Sequence, residues 1–141
     1  MTRVVLDTYV LVSGLLNPFG PPGRILDLIL AGEVTIDFDD RILSEYEEVL
    51  LRPRFGFDPG FVRILLDFLR RTGLPVSALP LNVEKIGTTD PDDLPFAEVA
   101  VAAAADALIT GNAKDFDLSK AYPELVQSPA DFLKGWVANK T

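Results

Sequence analysis

The chain has no cysteine and no histidine among its 141 residues. Without cysteine there is no disulfide framework and no thiolate nucleophile. Without histidine the usual general base and the commonest zinc ligand are both missing. Any chemistry must therefore run on carboxylates. Long apolar runs are also lacking, since none approaches the ~20 residues that span a bilayer. Met1-Thr2-Arg3 passes directly into strand-like residues, without the charged, apolar and cleavage regions of a signal peptide. A cytoplasmic protein with no membrane partner is the expectation. A broad basic surface is missing too: 21 acidic residues against 13 basic ones give a formal net charge of −8, which argues against non-specific attraction to nucleic acid.

What is present fits one ordinary domain. A length of 141 residues, 48% hydrophobic and 24% charged, is enough to bury a core without disulfide or structural metal, so residues 1–141 are expected to form a single unit. Arg3 to Leu6 reads as a strand buried on both faces and running into Asp7. Val10 to Leu16 reads as a short helix. Asn17 to Gly23 is the clearest breaker cluster, and Ile25 to Leu30 resumes a helical pattern closed by Gly32. Val34 to Phe38 is a second strand. A helix from Asp39 or Asp40 to about Leu51 puts Ile42, Tyr46, Val49 and Leu50 on one face and stops before Pro53. Phe61 to Arg71 is amphipathic, and Val76 to Val83 contains a weak strand broken by Pro80. Phe96 to Ala105 is an alanine-rich helix, Ala107 to Thr110 a strand, Leu125 to Gln127 another, and Ala130 to Val137 a terminal helix. This alternation predicts an α/β fold: a central, mostly parallel twisted sheet with helices on both faces and right-handed crossovers.

In such sheets ligands collect beyond the carboxyl ends of the strands, where strand order reverses. That rule sorts the acids. Asp7 follows its strand directly and belongs at that edge, though it also has the makings of a helix cap. Asn112 and Asp115 follow the Ala107–Thr110 strand and share the edge. Asp106 precedes that strand, faces the opposite edge and reads as structural. Asp90, Asp92 and Asp93 stand before the alanine-rich helix, where capping explains one acid but hardly three. On the preceding helix Glu48 points outward, while Glu45 and Glu47 flank the apolar stripe, and periodicity does not choose between them. Arg52 and Arg54 lie just past that helix, in reach of a phosphate-guiding role or simply solvated. Phe55, Phe57 and Phe61 are expected to tuck under the domain.

Several stretches together resemble a known family. Asp7-Thr8 with Ser13 beyond, Ser44-Glu45-Tyr46-Glu47-Glu48 leading into Arg52-Pro53-Arg54-Phe55, Asp90-Pro91-Asp92-Asp93 before Phe96, and Thr110-Gly111-Asn112 with Asp115-Phe116 look like the successive motifs of PIN domains. The likeness is to the bacterial, VapC-like branch described as toxins of toxin-antitoxin systems. It implies a ribonuclease in which a carboxylate cluster binds Mg2+ or Mn2+ and RNA phosphodiester bonds are hydrolysed. On this resemblance the catalytic, metal-binding acids are Asp7, Glu45, Asp93 and Asp115. Thr8, Ser13, Thr110, Asn112, Arg52 and Arg54 are the supporting or substrate-contacting residues. Hard oxygen donors favour magnesium or manganese over zinc, and bound ions would offset the acidic charge and let phosphates approach.

The resemblance also implies an antitoxin partner and a homodimer. Two departures stand out: Tyr9 replaces the family's usual asparagine, and Asn112 stands where many relatives carry aspartate. They leave a second reading, a PIN domain that has lost catalysis and serves as a binding or assembly module. A receiver domain or a haloacid-dehalogenase-type phosphatase is disfavoured, because each needs a further acid close after the first strand, where Thr8 and Tyr9 stand.

Overall fold

A computed structural model describes residues 2–80, 91–113 and 118–140. Five strands, β1 (Thr2–Leu6), β2 (Val34–Phe38), β3 (Leu74–Pro75), β4 (Ala107–Ile109) and β5 (Val126–Gln127), form one sheet in the order β3-β2-β1-β4-β5. All four pairings are parallel, with Val4 opposite both Ile36 and Ala107. The first strand is thus the central one. Val4, Val5 and Leu6 are all buried; successive strand residues point to opposite faces, so both faces are covered, as the unbroken apolar run predicts.

The covering helices are α1 (Thr8–Leu16), α2 (Pro21–Leu30), α3 (Asp40–Leu50), α4 (Pro59–Thr72), α5 (Leu94–Ala103), α6 (Leu118–Ala121) and α7 (Pro129–Lys140). Among the described residues no helix is long and apolar enough to cross a membrane. Asp39 caps α3 through its side chain, which accepts the Ile42 N–H at 3.1 Å. Asp58 caps α4 in the same way through Phe61, which moves the start of α4 two residues ahead of the periodic pattern.

Three elements depart from expectation. The breaker cluster between Asn17 and Gly23 already contains the first turn of α2, because the N–H that proline lacks is one for which a helix start has no intrahelical acceptor. Gly23 is required there for a different reason: a Cβ would lie 2.3 Å from the Pro18 carbonyl oxygen. Gly14 is tied similarly, with a Cβ placed 2.9 Å from the Pro22 oxygen, so α1 and α2 meet backbone to backbone. The strand expected within residues 76–83 is the shorter β3, paired through Asp37 with Leu74; residues 81–83 lie outside the described part. The alanine-rich helix starts earlier, at Leu94, and ends at Ala103. Ala104 closes it in the left-handed conformation with φ 50°.

Two polar contacts lock the centre. The Tyr46 hydroxyl, fully buried on α3, donates to the Leu6 carbonyl oxygen at the end of β1. At the other end of β1, Arg3 Nη1 donates to Asp37 Oδ2 on β2 at 3.1 Å and to the Ala103 carbonyl at 3.0 Å. The Arg3 N–H donates to Asp106 Oδ2 at 2.8 Å. Asp106 therefore sits at the amino edge of the sheet, away from the strand ends that carry Asp7. Asp37 is buried, and its Oδ1 has no hydrogen-bond partner among the described residues. Burial pushes its carboxyl above the usual range against the pull of Arg3.

Two predictions follow from these locks. Tyr46→Phe leaves a buried carbonyl without its donor and should destabilise the fold by about 1–3 kcal/mol in urea denaturation. For Asp37, a raised folded-state value means the native protein holds its proton more tightly than the unfolded chain, so the native state loses stability as pH rises through that interval. The stability difference between wild type and Asp37→Asn should therefore shift in the variant's favour from about pH 3 to about pH 7. Thermal melts at matched ionic strength showing the opposite trend would mean that Arg3, not burial, governs this carboxyl.

Candidate active site

The carboxyl ends of β1 and β4 lie side by side where the strand order turns back, the crevice in which open α/β sheets bind ligands. Asp7 emerges there. Its N–H donates to the Ile109 carbonyl at 3.0 Å, and its own carbonyl accepts the first N–H groups of α1, from Val10 and Leu11. The backbone thus starts α1 while the side chain makes no capping bond. Instead, the Thr110 hydroxyl donates to Asp7 Oδ2 at 3.1 Å, and the Asn112 N–H donates to that hydroxyl oxygen at 3.3 Å. A relay of two hydrogen bonds from the turn after β4 fixes one oxygen of Asp7.

A second contact joins α1 to α3. The buried Thr8 hydroxyl donates to Glu45 Oε2. Of the two flanking glutamates, Glu45 is therefore the one that turns inward. Glu47 is exposed on another face beside Asp40, Ser44 and Arg70. Adjacent residues Asp7 and Thr8 thus anchor to two different elements, β4 through Thr110 and α3 through Glu45.

These side chains border a cavity of about 210 Å³ lined by Asp7, Tyr9, Glu45, Val49, Arg52, Asp92, Asp93 and Asn112. Asp93 is the N-cap residue of α5, yet its side chain makes no capping hydrogen bond, which leaves its carboxylate directed at other contacts. A larger cavity of about 700 Å³, lined by Ala100, Val101, Asp106 and Leu125 among others, brings together no comparable set of polar groups. Chemistry rather than size marks the smaller one.

Burial pushes the Asp7 carboxyl above its usual range, against the Thr110 hydroxyl and the Thr8 N–H. Burial also raises Glu45, against the Thr8 hydroxyl, and the negative charges of Asp7, Asp92 and Glu48 raise it further. Both inner acids would gain from a cation. Among the described residues no three carboxylates stand close enough to hold one ion between them, but the carboxylates and the amide of the lining offer oxygen donors of the kind that suit magnesium or manganese.

The other sequence candidates divide clearly. Arg52 lines the cavity, its Nη2 donating to Glu48 Oε1 at 3.0 Å and its Nη1 to the Tyr9 hydroxyl at 3.3 Å. Arg54 is exposed, 4.7 Å from the Phe55 ring and outside the lining. Ser13 is exposed further along α1, also outside it. Phe55 and Phe57 are half-buried against the core with rings 6.0 Å apart, whereas Phe61 remains 44% exposed. Asp90 and Asp115 lie outside the described residues. Sequence reasoning noted Tyr9 as a departure from the family pattern, Val49 as part of an apolar face and Asp92 as one of three neighbouring acids, and assigned none of them to the site. For Tyr9 the signal was available, because the second residue after Asp7 begins the same helix turn.

Comparison with known proteins bears on the family and the fold. Residues 3–114 match the family model described as the PIN domain. The chain is 33% identical over 114 residues to an uncharacterized protein of Methanocaldococcus jannaschii, covering 78% of this chain and 70% of that protein. Its fold is similar to a chain in the crystal structure of VapBC2 from Rickettsia felis bound to a DNA fragment from their promoter. That likeness has a TM-score of 0.59 at 22% identity, over 90% of this chain and 98% of the other. With the family model matched from β1 through the turn after β4, the chain belongs to the PIN domain family.

Proposed function

We propose that the protein is a metal-dependent ribonuclease that hydrolyses RNA phosphodiester bonds and acts in the cytoplasm as the toxin of a toxin-antitoxin pair. The observation that carries this reading is the convergence of Asp7 and Glu45, each held by a threonine hydroxyl, on one acid-lined cavity at the strand-order reversal. Membership of the PIN domain family supports a nuclease. The fold shared with a VapBC2 chain supports the toxin assignment and, with it, an antitoxin partner; self-association is carried over from the family resemblance alone.

In this reading Asp7, Glu45 and Asp93 bind Mg2+ or Mn2+ directly or through bridging waters, and Asp115 is assigned as the fourth carboxylate on the family resemblance alone. A divalent ion bound there supplies Lewis acidity and positive charge where negative charge grows during phosphodiester hydrolysis. The chain's own groups do the positioning. Thr110 holds one oxygen of Asp7, and Thr8 holds one oxygen of Glu45. Arg52 offers a guanidinium to a phosphate oxygen of the RNA, and the Asn112 amide offers a neutral donor that does not add to the repulsion among the acids.

The test is cleavage of labelled RNA with magnesium or manganese. Activity should disappear with chelator and in Asp7→Asn. Thr110→Val removes only the hydroxyl that orients Asp7, and should lower metal affinity, read by calorimetry, by about 10- to 100-fold. Cleavage that survives both chelator and Asp7→Asn would defeat the proposal. Absence of cleavage with every RNA tried, while RNA or a partner still binds, would favour the binding-module reading.

A further inference from the structure

Tyr9 is the least explained member of the cavity. It sits in the first turn of α1, two residues after Asp7, and is 51% exposed although large and aromatic. Among the described residues no other ring packs against it. Its hydroxyl is nevertheless fixed, because Arg52 donates to it at 3.3 Å while also holding Glu48. The ring is therefore tethered at its polar end and left open along its body. Beside it lie Asp7, Glu45 and the apolar side chain of Val49.

We propose that Tyr9 is a stacking platform that holds one unpaired nucleobase of the RNA beside the acids of the cavity. The inference rests on the ribonuclease reading and names a substrate-contacting residue within it. Unpaired bases present a π-face of about the ring's own dimensions, and stacking on an aromatic side chain depends little on which base is presented. A base inside a duplex has both faces occupied by its neighbours. Arg52 is the only cation among the described lining residues. A phosphate next to the stacked base would find its guanidinium in exchange for the exposed Glu48 pairing, which is weak in water. An otherwise acidic cavity thereby holds a polyanion through one base face and one phosphate, without a basic surface.

The experiment separates binding from cleavage. Asp7→Asn protein is titrated, with magnesium present, into a fluorescently labelled pool of random-sequence single-stranded RNA, and in parallel into the same pool annealed to its complement. The same titrations follow with Tyr9→Leu and Tyr9→Phe added to Asp7→Asn, after thermal melts show that each variant is folded. The single-stranded pool should bind more tightly than the duplex. Tyr9→Leu should weaken single-strand binding by about ten-fold or more, and Tyr9→Phe, which keeps the ring, should recover most of it. Equal binding with leucine, equal binding of duplex and single strand, or no binding of either pool overturns the proposal. Tyr9-dependent binding together with an inactive wild-type protein would retain the stacking site and refute hydrolysis instead. Cleavage of single-stranded RNA with no effect of Tyr9→Leu would do the reverse.

Discussion

Asp7 leaves the buried central strand with its backbone committed on both sides, its N–H to Ile109 and its carbonyl to α1. Its side chain therefore has little freedom to turn away from the site. A carboxyl at that point loses hydration, which is why its proton is held more tightly than usual. The Thr110 hydroxyl returns part of the lost solvation and fixes the direction of one oxygen. Three other members of the cavity are placed relative to this residue: Glu45 through the neighbouring Thr8, Asn112 through Thr110, and Tyr9 through the first turn of α1. Tyr46 holds α3 against the carbonyl of Leu6, one residue before Asp7.

Much of this frame was legible because its signals are local. Val4-Val5-Leu6 running into Asp7 identifies both a doubly buried strand and the acid at its end, and the parallel order of strands then assigns Asp106 to the opposite edge. What the pattern could not give was the inward glutamate. Glu45 and Glu47 lie symmetrically about the apolar stripe of α3, and the choice depends on Thr8, which is distant in sequence and reaches α3 only once the fold is made. The start of α2 was obscured for a different reason. Pro21-Pro22-Gly23 reads as a break, yet proline suits a helix start and Gly23 is demanded by the close passage of Pro18. The short β3 was misplaced because a two-residue strand has no periodicity to detect.

The two edges of the sheet treat acidic charge in opposite ways. Arg3, near the amino end of β1, holds Asp106 through its N–H and Asp37 through its guanidinium, and elsewhere Arg41 pairs with Asp39 at 2.8 Å and with the buried Glu98 at 2.6 Å. Acids in these places have arginine beside them. At the carboxyl edge Asp7 and Glu45 are held by threonine hydroxyls instead, Asp92 and Asp93 line the same cavity, and the guanidinium there, Arg52, is engaged with Glu48. Like charges gathered in a partly buried space destabilise the fold unless something offsets them, so a functional demand is the simplest reason for retaining them.

That asymmetry changes what the net charge of −8 means for a nucleic-acid substrate. Spread over the surface, excess negative charge repels RNA at long range and lowers the encounter rate, most strongly at low ionic strength. At short range the decisive quantity is the local field, and cations at the carboxyl edge would reverse it there without altering the rest of the surface. Under the proposed function, RNA would have no favourable place to rest on this protein except the site itself. Affinity would then depend on the metal ions, Arg52 and the exposed face of Tyr9. A basic protein gains affinity from non-specific phosphate contacts, whereas this chain could hold RNA only in the geometry where the acids of the site act.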